Sequence, residues 1–290
     1  MGKNIGNVDR STFFTSILLL LIIIILVYFY IFGEKTIFSS YYGSKYVEAP
    51  LSNDELEEIK DVSIIFVVPC YNADILLLKE RLNYLVEGFN DYRIYLGGSD
   101  SSRQETIQAI EEWSDDKVIN CKIIKKITSN RIARISNVRN QMLNVIKRDL
   151  FGSVVVAVYD GDHDGPMSKR GLIKSINYLF SHPQVYGVSG TGKRAIIPGL
   201  LYVTYDKFAY ESCPWNRKEK FRNDVYQECL SSFSGCCIYR LNEYIQGNYE
   251  SNGFRCEHCV FNENLRLKFG GWMVQNKDWC LLTGGVHSQF

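Results

Sequence analysis

Short apolar runs alternate with segments in which apolar residues recur every three or four positions, from residue 62 to about residue 190. Uninterrupted apolar runs such as "VSIIFVVP" are typical of strands that are buried on both faces. The segments between them have the spacing of helices that pack one face against a sheet. The pattern predicts strands and helices in alternation, the strands at 62–69, 92–98, 117–127, 153–159 and 185–190 and the helices at 72–89, 101–113, 129–149 and 167–180.

Alternating strands and helices indicate right-handed crossovers and a mostly parallel central sheet flanked by helices. Beyond residue 200 the alternation is lost, which predicts a mixed region with an antiparallel part. We therefore expect one α/β domain over residues 62–290. Residues 33–61 form a polar stem that ends in a small helix, where Ser52 and Glu55 have the spacing of a capping box. The pair Ser102 and Glu105 is expected to cap the helix at 101–113 in the same way.

The twenty residues 13–32 carry no charge and are strongly apolar. At the rise of an α-helix this length matches the hydrocarbon core of a bilayer, so we expect a membrane-spanning helix. A cleaved signal peptide is disfavoured because its apolar part has about 7–15 residues and ends at small residues; a buried core helix is the other alternative. We favour a single-pass type II protein with residues 1–12 in the cytoplasm. The domain then lies in a lumen of the Golgi or endoplasmic reticulum type, or outside the cell.

The charge and the cysteine content of the chain bear on three possibilities: nucleic-acid binding, a zinc site and disulfides. The formal net charge is +1 and acidic and basic residues are interspersed, so no electrostatic footprint for nucleic acid is present. Nine cysteines include Cys256-x-x-Cys259 near Cys236-Cys237. Structural zinc sites usually show two CxxC-type pairs, which disfavours zinc here. In an oxidising lumen, one or two disulfides among the last eighty residues are favoured.

Three aspartates, Asp160, Asp162 and Asp164, follow the predicted strand at 153–159. Carboxylates this close repel one another unless a positive charge lies among them. An EF-hand loop is disfavoured, because its twelfth position would be Gly171 and a strand precedes it. The alternative is that the three aspartates form a solvated turn that binds no metal. We favour an Asp-x-Asp motif that holds Mn²⁺ or Mg²⁺ together with phosphate oxygens.

The apolar strand that ends in "YDGDHDG", after three strand–helix units in a single-span chain, resembles nucleotide-sugar glycosyltransferases of the GT-A type. The resemblance implies that Asp162 binds the metal directly. It implies that Asp160 meets the donor ribose, or the metal through water, and that the metal bridges the two donor phosphates. Such a cation neutralises the charge of the departing nucleoside diphosphate.

The resemblance extends to the helix before this strand, where Arg139-Asn140 is similar to an Arg-Asn pair near the donor sugar. Arg131 and Arg134 are further candidates for donor binding, because guanidinium groups suit phosphates and hydroxyls. All three arginines stay off the predicted apolar stripe of Ile132, Ile135, Val138, Met142 and Ile146, so a solvated face is the alternative. Similar enzymes hold the base and ribose after the first two strands, here at Asn72 and Asp100; Asp100 is equally suited to starting a turn.

The stretches "FSGCCIY" and Cys256-Glu257-His258 resemble the fungal capsule-associated α-1,3-mannosyltransferase family and related glycosyltransferases of large viruses. Ser234 stands where that family has the first glycine of its loop. The resemblance implies mannose as the hexose and acceptor-side catalytic roles for Glu257 and His258. Glu257 would be the general base of an inverting reaction, or would position the acceptor in a retaining one. His258 is alternatively a core histidine.

His287, close to the C-terminus, matches the place from which such enzymes take a third metal ligand, unless this terminus is frayed. Together these features predict a membrane-anchored, metal-dependent glycosyltransferase that moves a hexose from a nucleotide-diphosphate sugar to a glycan hydroxyl. A metal-dependent nucleotidyl- or phosphotransferase is the rival enzyme class. An anchored, non-enzymatic glycan-binding protein is the third possibility.

Overall fold

The computed structural model divides the chain into two compact units, Met1–Tyr41 and Tyr42–Phe290. In the first unit, residues 14–16 and 18–23 are helical and their side chains are exposed. Within the described part of the chain, no helix is both long and apolar enough to cross a membrane. The structure describes residues 14–16, 18–23, 50–98, 102–123, 130–149, 152, 155–162, 167–197, 201–204, 209–212, 225–250 and 255–283. The rest of the predicted span at 13–32 and the tail at 1–12 lie outside these ranges.

The second unit is built on a single mixed β-sheet, in which the strand order is β3-β2-β1-β4-β9-β5-β10-β8-β7, with β6 paired to β5. The strands are β1 (Ser63–Pro69), β2 (Asp91–Gly97), β3 (Val118–Asn120), β4 (Val155–Tyr159), β5 (Val185–Ile197), β6 (Leu201–Thr204), β7 (Glu211–Ser212), β8 (Tyr226–Ser231), β9 (Cys236–Arg240) and β10 (Trp272–Thr283).

Helices cover both faces of this sheet. The helices are α1 (Asn53–Glu57), α2 (Ile75–Val86), α3 (Gln104–Trp113), α4 (Arg131–Asp149), α5 (Lys169–Ser181), α6 (Leu241–Tyr244) and α7 (Glu257–Phe269). Successive residues of β1 face opposite sides, as the pleat of a strand requires. Ile64, Phe66 and Val68 pack in one core cluster with α2, α3 and α5. Ile65 and Val67 pack in the other with α4 and α7. The predicted α/β architecture, a central sheet flanked by helices, is confirmed.

The sheet contains both parallel and antiparallel pairs of strands, and β5 is parallel to β10. Strands β3, β2, β1 and β4 are parallel to one another, as the alternating pattern predicted. Strand β9 is antiparallel to both β4 and β5, and β8 is antiparallel to β10. The sheet as a whole is therefore mixed rather than mostly parallel. The antiparallel part comes from residues beyond 200, where the sequence predicted it.

Local signals were right at one helix start and wrong at another. At α1, the hydroxyl of Ser52 accepts from the Glu55 amide and the Glu55 carboxylate accepts from the Ser52 amide, so the predicted capping box is confirmed. At α3, the N-cap is Arg103 and no side chain caps the helix, so the predicted pair Ser102–Glu105 is wrong. The Ser102 hydroxyl instead donates to the Cys70 carbonyl oxygen at 3.4 Å, because the chain end of β1 lies beside it.

Residues 50–61, the end of the predicted stem, pack against the domain. Ile59 is fully buried, and Arg170 of α5 forms an ion pair with Glu55. None of the cysteines whose side chains the structure describes takes part in a disulfide, so within this set the disulfide prediction is not met. These cysteines are Cys70, Cys121, Cys229, Cys236, Cys237, Cys256 and Cys259.

Candidate active site

The chain that leaves β4 is held tightly against the end of β1. The Asp160 amide donates to the Gly235 carbonyl oxygen at 2.9 Å, and the Gly161 amide donates to the Pro69 carbonyl oxygen at 3.2 Å. A Cβ on Gly161 would meet that same Pro69 oxygen at 2.9 Å, so the two segments approach too closely for any side chain here. Asp160 and Asp162 are thus fixed on either side of this glycine.

The two carboxylates influence each other electrostatically. Desolvation by the surrounding protein, followed by the negative charge of Asp160, raises the pKa of Asp162 to about 6, against the opposing charges of Arg139 and Arg131. Asp162 is nevertheless accessible to solvent. Asp160 is half-buried and Asp162 is exposed, so the two carboxylates form a partly enclosed surface that a ligand can reach. This surface around Asp160 and Asp162 is called the recess below.

Arg139 lies directly behind this recess. Its Nη2 donates to Asp160 Oδ1 at 2.7 Å, and its Nε donates to Glu257 Oε1 at 3.3 Å. Only 4% of the Arg139 side chain is exposed. Burial alone would lower the pKa of this guanidinium, but the charges of Asp160 and Glu257 outweigh burial and raise the pKa. Arg139 is therefore a buried cation between two carboxylates.

The position of Arg139 corrects one prediction from the sequence. It was expected to stay off the apolar stripe of α4, yet it lies on the buried face with Ser136, Met142, Leu143 and Ile146. Of the predicted stripe, Ile132, Ile135 and Val138 are only half-buried. The helix can turn this face inward because Asp160 and Glu257 compensate the buried positive charge.

Glu257 and His258 begin α7 and are both buried. Besides the bond from Arg139, Glu257 contacts the Cys256 thiol, whose Sγ lies 3.6 Å from Glu257 Oε2. The His258 ring stacks on Phe233 with ring centroids 3.5 Å apart. Within the described residues, neither ring nitrogen of His258 has a hydrogen-bond partner. Burial, assisted by the charge of Arg139, lowers the pKa of His258 well below its usual value, so the ring is neutral.

Two asparagines among the predicted site residues hold backbone segments. Asn72 follows β1 with a φ of +53°, and its Oδ1 accepts from the Arg103 amide at 2.8 Å. It thereby joins the end of β1 to the start of α3. Asn140 Oδ1 accepts from the Tyr249 amide at 2.8 Å, and its Nδ2 donates to the Tyr249 carbonyl oxygen at 2.6 Å. The Asn140 amide therefore holds the segment before α7 against α4.

The remaining predicted site residues fall into two groups. Arg131 and Arg134 are exposed on the first turn of α4. The charge of Arg131 opposes the rise in the pKa of Asp162, which places this arginine within electrostatic reach of the recess. Asp100, Asp164 and His287 lie outside the described residues.

Two aromatic residues at the site were not predicted from the sequence. The guanidinium carbon of Arg139 lies 5.2 Å from the ring centroid of Phe233 and 5.7 Å from that of Tyr249. These rings enclose the arginine, and both reach it from segments distant in sequence. The sequence signal that could have pointed to Phe233 is Gly235, two residues later, because glycine is favoured in turns that other residues disfavour. The φ of +89° at Gly235 confirms such a turn.

The donor set fits a divalent cation that is completed by a ligand. Within the described part of the chain, no group of three or more His, Cys, Asp or Glu side chains could hold a metal ion. Asp160 and Asp162 supply two carboxylates, and Mg²⁺ is commonly bound by one or two carboxylates plus water and substrate phosphates. The two aspartates therefore suit a cation that arrives with, or is completed by, a diphosphate.

No protein-family model matches this chain, and no curated protein matches it. Solved structures that are similar in fold include TarS residues 1–349 of S. aureus, with a TM-score of 0.48 and 15% identity, covering 77% of this chain and 60% of that one. Glucosyl-3-phosphoglycerate synthase from Mycobacterium tuberculosis, in complex with Mg²⁺ and uridine diphosphate, has a TM-score of 0.49 and 12% identity, covering 84% and 79%.

A third similar structure is CMP:2-keto-3-deoxy-manno-octonic acid synthetase complexed with CTP. Its TM-score is 0.42 at 11% identity, and the match covers 77% of this chain and 92% of that one. This chain thus spans about 60% of the length of the TarS chain. Similarity of this degree assigns no activity to the present chain.

Proposed function

We propose that this protein is a metal-dependent glycosyltransferase of the GT-A type, which transfers a hexose from a nucleotide-diphosphate sugar to a hydroxyl group of a glycan. The observation that carries the proposal is the pair Asp160 and Asp162 at the carboxyl end of β4, braced from behind by the buried Arg139. A recessed pair of carboxylates at this point of an α/β sheet suits a diphosphate-bound cation.

The topology supports a ligand at this place. From β1 the chain builds β2 and then β3 on one side, whereas β4 pairs with β1 on the other side. In open α/β sheets, ligands bind at the carboxyl ends of the strands where the strand order reverses, which here is between β1 and β4. Asn72 comes three residues after the end of β1 and Asp160 comes directly after β4, so both lie near the carboxyl ends of these two strands.

Asp160, Asp162, Arg131 and Asn72 have separate parts in the proposed mechanism. Asp160 and Asp162 would hold Mn²⁺ or Mg²⁺, and when bound the cation supplies charge neutralisation for the departing nucleoside diphosphate. Arg131, at the first turn of the 19-residue helix α4, adds positive charge near the same recess. The N-terminus of a helix favours anions as well, so the phosphates would lie between it and the aspartates. Asn72 keeps the end of β1 in place at the nucleoside side.

The finer parts of the proposal are supported by the sequence. Mannose as the hexose is supported by the likeness of "FSGCCIY" and "CEH" to the capsule-associated mannosyltransferases. Asp100 and His287 remain candidates for the nucleoside and for the third metal ligand. Anchoring through residues 13–32, with the catalytic domain in a lumen or outside the cell, is supported by their uncharged apolar composition.

Titration calorimetry of the full chain with GDP and UDP, with and without Mn²⁺, tests the activity together with a donor-hydrolysis assay. We expect metal-dependent binding of one nucleotide and slow hydrolysis of its sugar conjugate. Asp162→Asn should abolish both. Asp278→Asn is the matched control, because Asp278 is half-exposed on β10 and pairs at 3.6 Å with Lys174, a contact outside the recess.

Three outcomes contradict the proposal. Full turnover in the presence of EDTA would show that the activity needs no metal ion. Pyrophosphate release from a nucleoside triphosphate would indicate a nucleotidyltransferase. Glycan binding without any nucleotide dependence would indicate a binding protein. The anchor is tested separately by alkaline extraction of membranes, in which residues 1–290 should stay in the membrane pellet and a chain without residues 13–32 should not.

A further inference from the structure

A buried positive charge lies behind a site that is proposed to bind a cation. Arg139 Nη2 is 2.7 Å from Asp160 Oδ1, so its charge acts on one of the two carboxylates available to the metal. A cation held by Asp160 would lie close to the guanidinium, and like charges that are close together repel strongly in a poorly solvated environment. Something must offset the guanidinium if Asp160 is to attract a divalent ion.

Glu257 is placed to provide this offset. Its Oε1 accepts from Arg139 Nε at 3.3 Å, while Nη2 of the same guanidinium donates to Asp160 at 2.7 Å. Its side chain is only 8% exposed, and its second oxygen faces the Cys256 thiol. The neighbouring His258, whose Nε2 lies 3.7 Å from Glu257 Oε1, is neutral and adds no charge.

The charges of the cluster then match the ion. Asp160, Asp162 and Glu257 are negative and Arg139 is positive, so the four groups together carry two negative charges. Without Glu257 they would carry one. Arg139 thus fixes one oxygen of Asp160 while the four groups keep two negative charges.

We infer that Glu257 is a positioning residue that acts through Arg139: it compensates the guanidinium charge, so that Arg139 can hold Asp160 without weakening the divalent-cation site. This inference rests on the proposed function. It assigns Glu257 a role away from the acceptor hydroxyl, because the carboxylate is buried and engaged by Arg139.

The test measures Mn²⁺ affinity of the full chain in detergent, by the electron paramagnetic resonance signal of free Mn²⁺, in the presence of the nucleoside diphosphate that the wild type binds. Glu257→Gln keeps the hydrogen-bond acceptor and removes the charge, and should weaken Mn²⁺ binding about tenfold. Arg139→Gln combined with Glu257→Gln removes both buried charges. It should return the affinity to within about threefold of the wild type, because the net charge is restored.

Glu263→Gln is the matched control. It makes the same change on the same helix, at a carboxylate that pairs with Arg255, and should bind Mn²⁺ as the wild type does. A purely structural role for Glu257 predicts that the double variant binds no better than Glu257→Gln, so restored affinity distinguishes charge compensation from packing.

Two results overturn the inference: Mn²⁺ binding by Glu257→Gln equal to that of the wild type, or a double variant as weak as Glu257→Gln. If Glu257→Gln does not fold, the double variant decides, since it leaves no buried charge unpaired. A loss of more than about threefold in the double variant then overturns the inference. A wild-type chain that binds no Mn²⁺ contradicts the proposed function itself, whereas metal binding that is insensitive to residue 257 contradicts only this inference.

Discussion

At the scale of single residues, Arg139 shows how a side chain's neighbours decide where it can lie. Judged by residue type it belongs on a solvated face, because arginine is rarely buried. In the structure it is enclosed by Phe233 and Tyr249 and bound by two carboxylates. None of these partners is near it in sequence, so no local pattern could have placed it in the core.

The glycine between the two aspartates is the most constrained position at this scale. Gly161→Ala should weaken metal-dependent nucleotide binding at least about tenfold, because the new Cβ would lie 2.9 Å from the Pro69 oxygen and displace Asp160 and Asp162. The overpacking should also lower the free energy of unfolding by about 1–3 kcal/mol. Calorimetric titration and denaturant unfolding measure the two effects.

Gly152→Ala is the control for this prediction, since no atom of the described residues lies within 4 Å of a Cβ built on Gly152. Its nucleotide affinity should equal that of the wild type. Equal nucleotide affinity in Gly161→Ala and the wild type would show that the tight contact with β1 does not fix the aspartates.

The buried His258 predicts a pH dependence of stability. In the folded protein its pKa lies well below the usual value, through burial first and the charge of Arg139 second. The unfolded chain therefore binds a proton near pH 6.5 that the folded protein does not bind, so stability is lost as the pH falls below about 6.5. This component reaches at most about 1.4 kcal/mol per pH unit.

His258→Phe retains an aromatic ring for stacking on Phe233 and removes the titration. The free energy of unfolding of the wild type and of this variant is measured from pH 8 to pH 5. The two curves should be parallel above about pH 6.5, and below that pH the free energy of unfolding of the wild type should fall more steeply. Parallel curves over the whole range would mean that His258 is protonated to the same degree in the folded and unfolded states.

At the scale of elements, apolar pattern placed the helices and strands well, and local capping signals did so unevenly. Strands β1, β2 and β4 and helices α2 to α5 lie within a few residues of their predicted bounds. Strand β3 was predicted over 117–127 and ends at Asn120. The two serines with capping-box spacing have different roles. Ser52 caps a helix, whereas the Ser102 hydroxyl donates to the Cys70 carbonyl oxygen next to the end of β1.

The different contributions of Ser52 and Ser102 to stability can be tested with a matched pair of variants. Ser52→Ala removes a real N-cap of α1 and should lower the free energy of unfolding by about 1 kcal/mol. Ser102→Ala has the same sequence context without the cap and should change it by no more than about 0.5 kcal/mol. Chemical denaturation of both variants measures the difference. Equal losses would mean that the capping hydrogen bonds of α1 add nothing beyond an ordinary surface contact.

At the scale of the whole molecule, the site exists because separate parts of the chain converge on one edge of the sheet. Strand β4 brings the aspartates, α4 brings Arg139, and the turn at Gly235 braces Asp160 from β9. Helix α7 closes the arrangement with Glu257. Ligand binding at such a junction should stabilise the assembled fold rather than one element.

Mn²⁺ and the preferred nucleoside diphosphate should therefore raise the Tm together more than either does alone. At a ligand concentration one hundred times Kd, the stabilisation is about 2.7 kcal/mol when only the folded state binds. Scanning calorimetry of the wild type and Asp162→Asn measures it, and the variant should show no combined effect. An equal rise in the variant would place the binding site away from Asp162.

The sequence by itself determined the α/β class, the parallel first half of the sheet and the placement of the aspartates after β4. These follow from short-range periodicity and from where polar residues interrupt it, and both are properties of neighbouring residues. It also selected Arg139 and Glu257 as candidates, through resemblance alone. Only the tertiary structure decided that these two face each other in the core, 118 positions apart in sequence. Long-range pairing of charges depends on how helices and strands pack, and no local spacing encodes that packing.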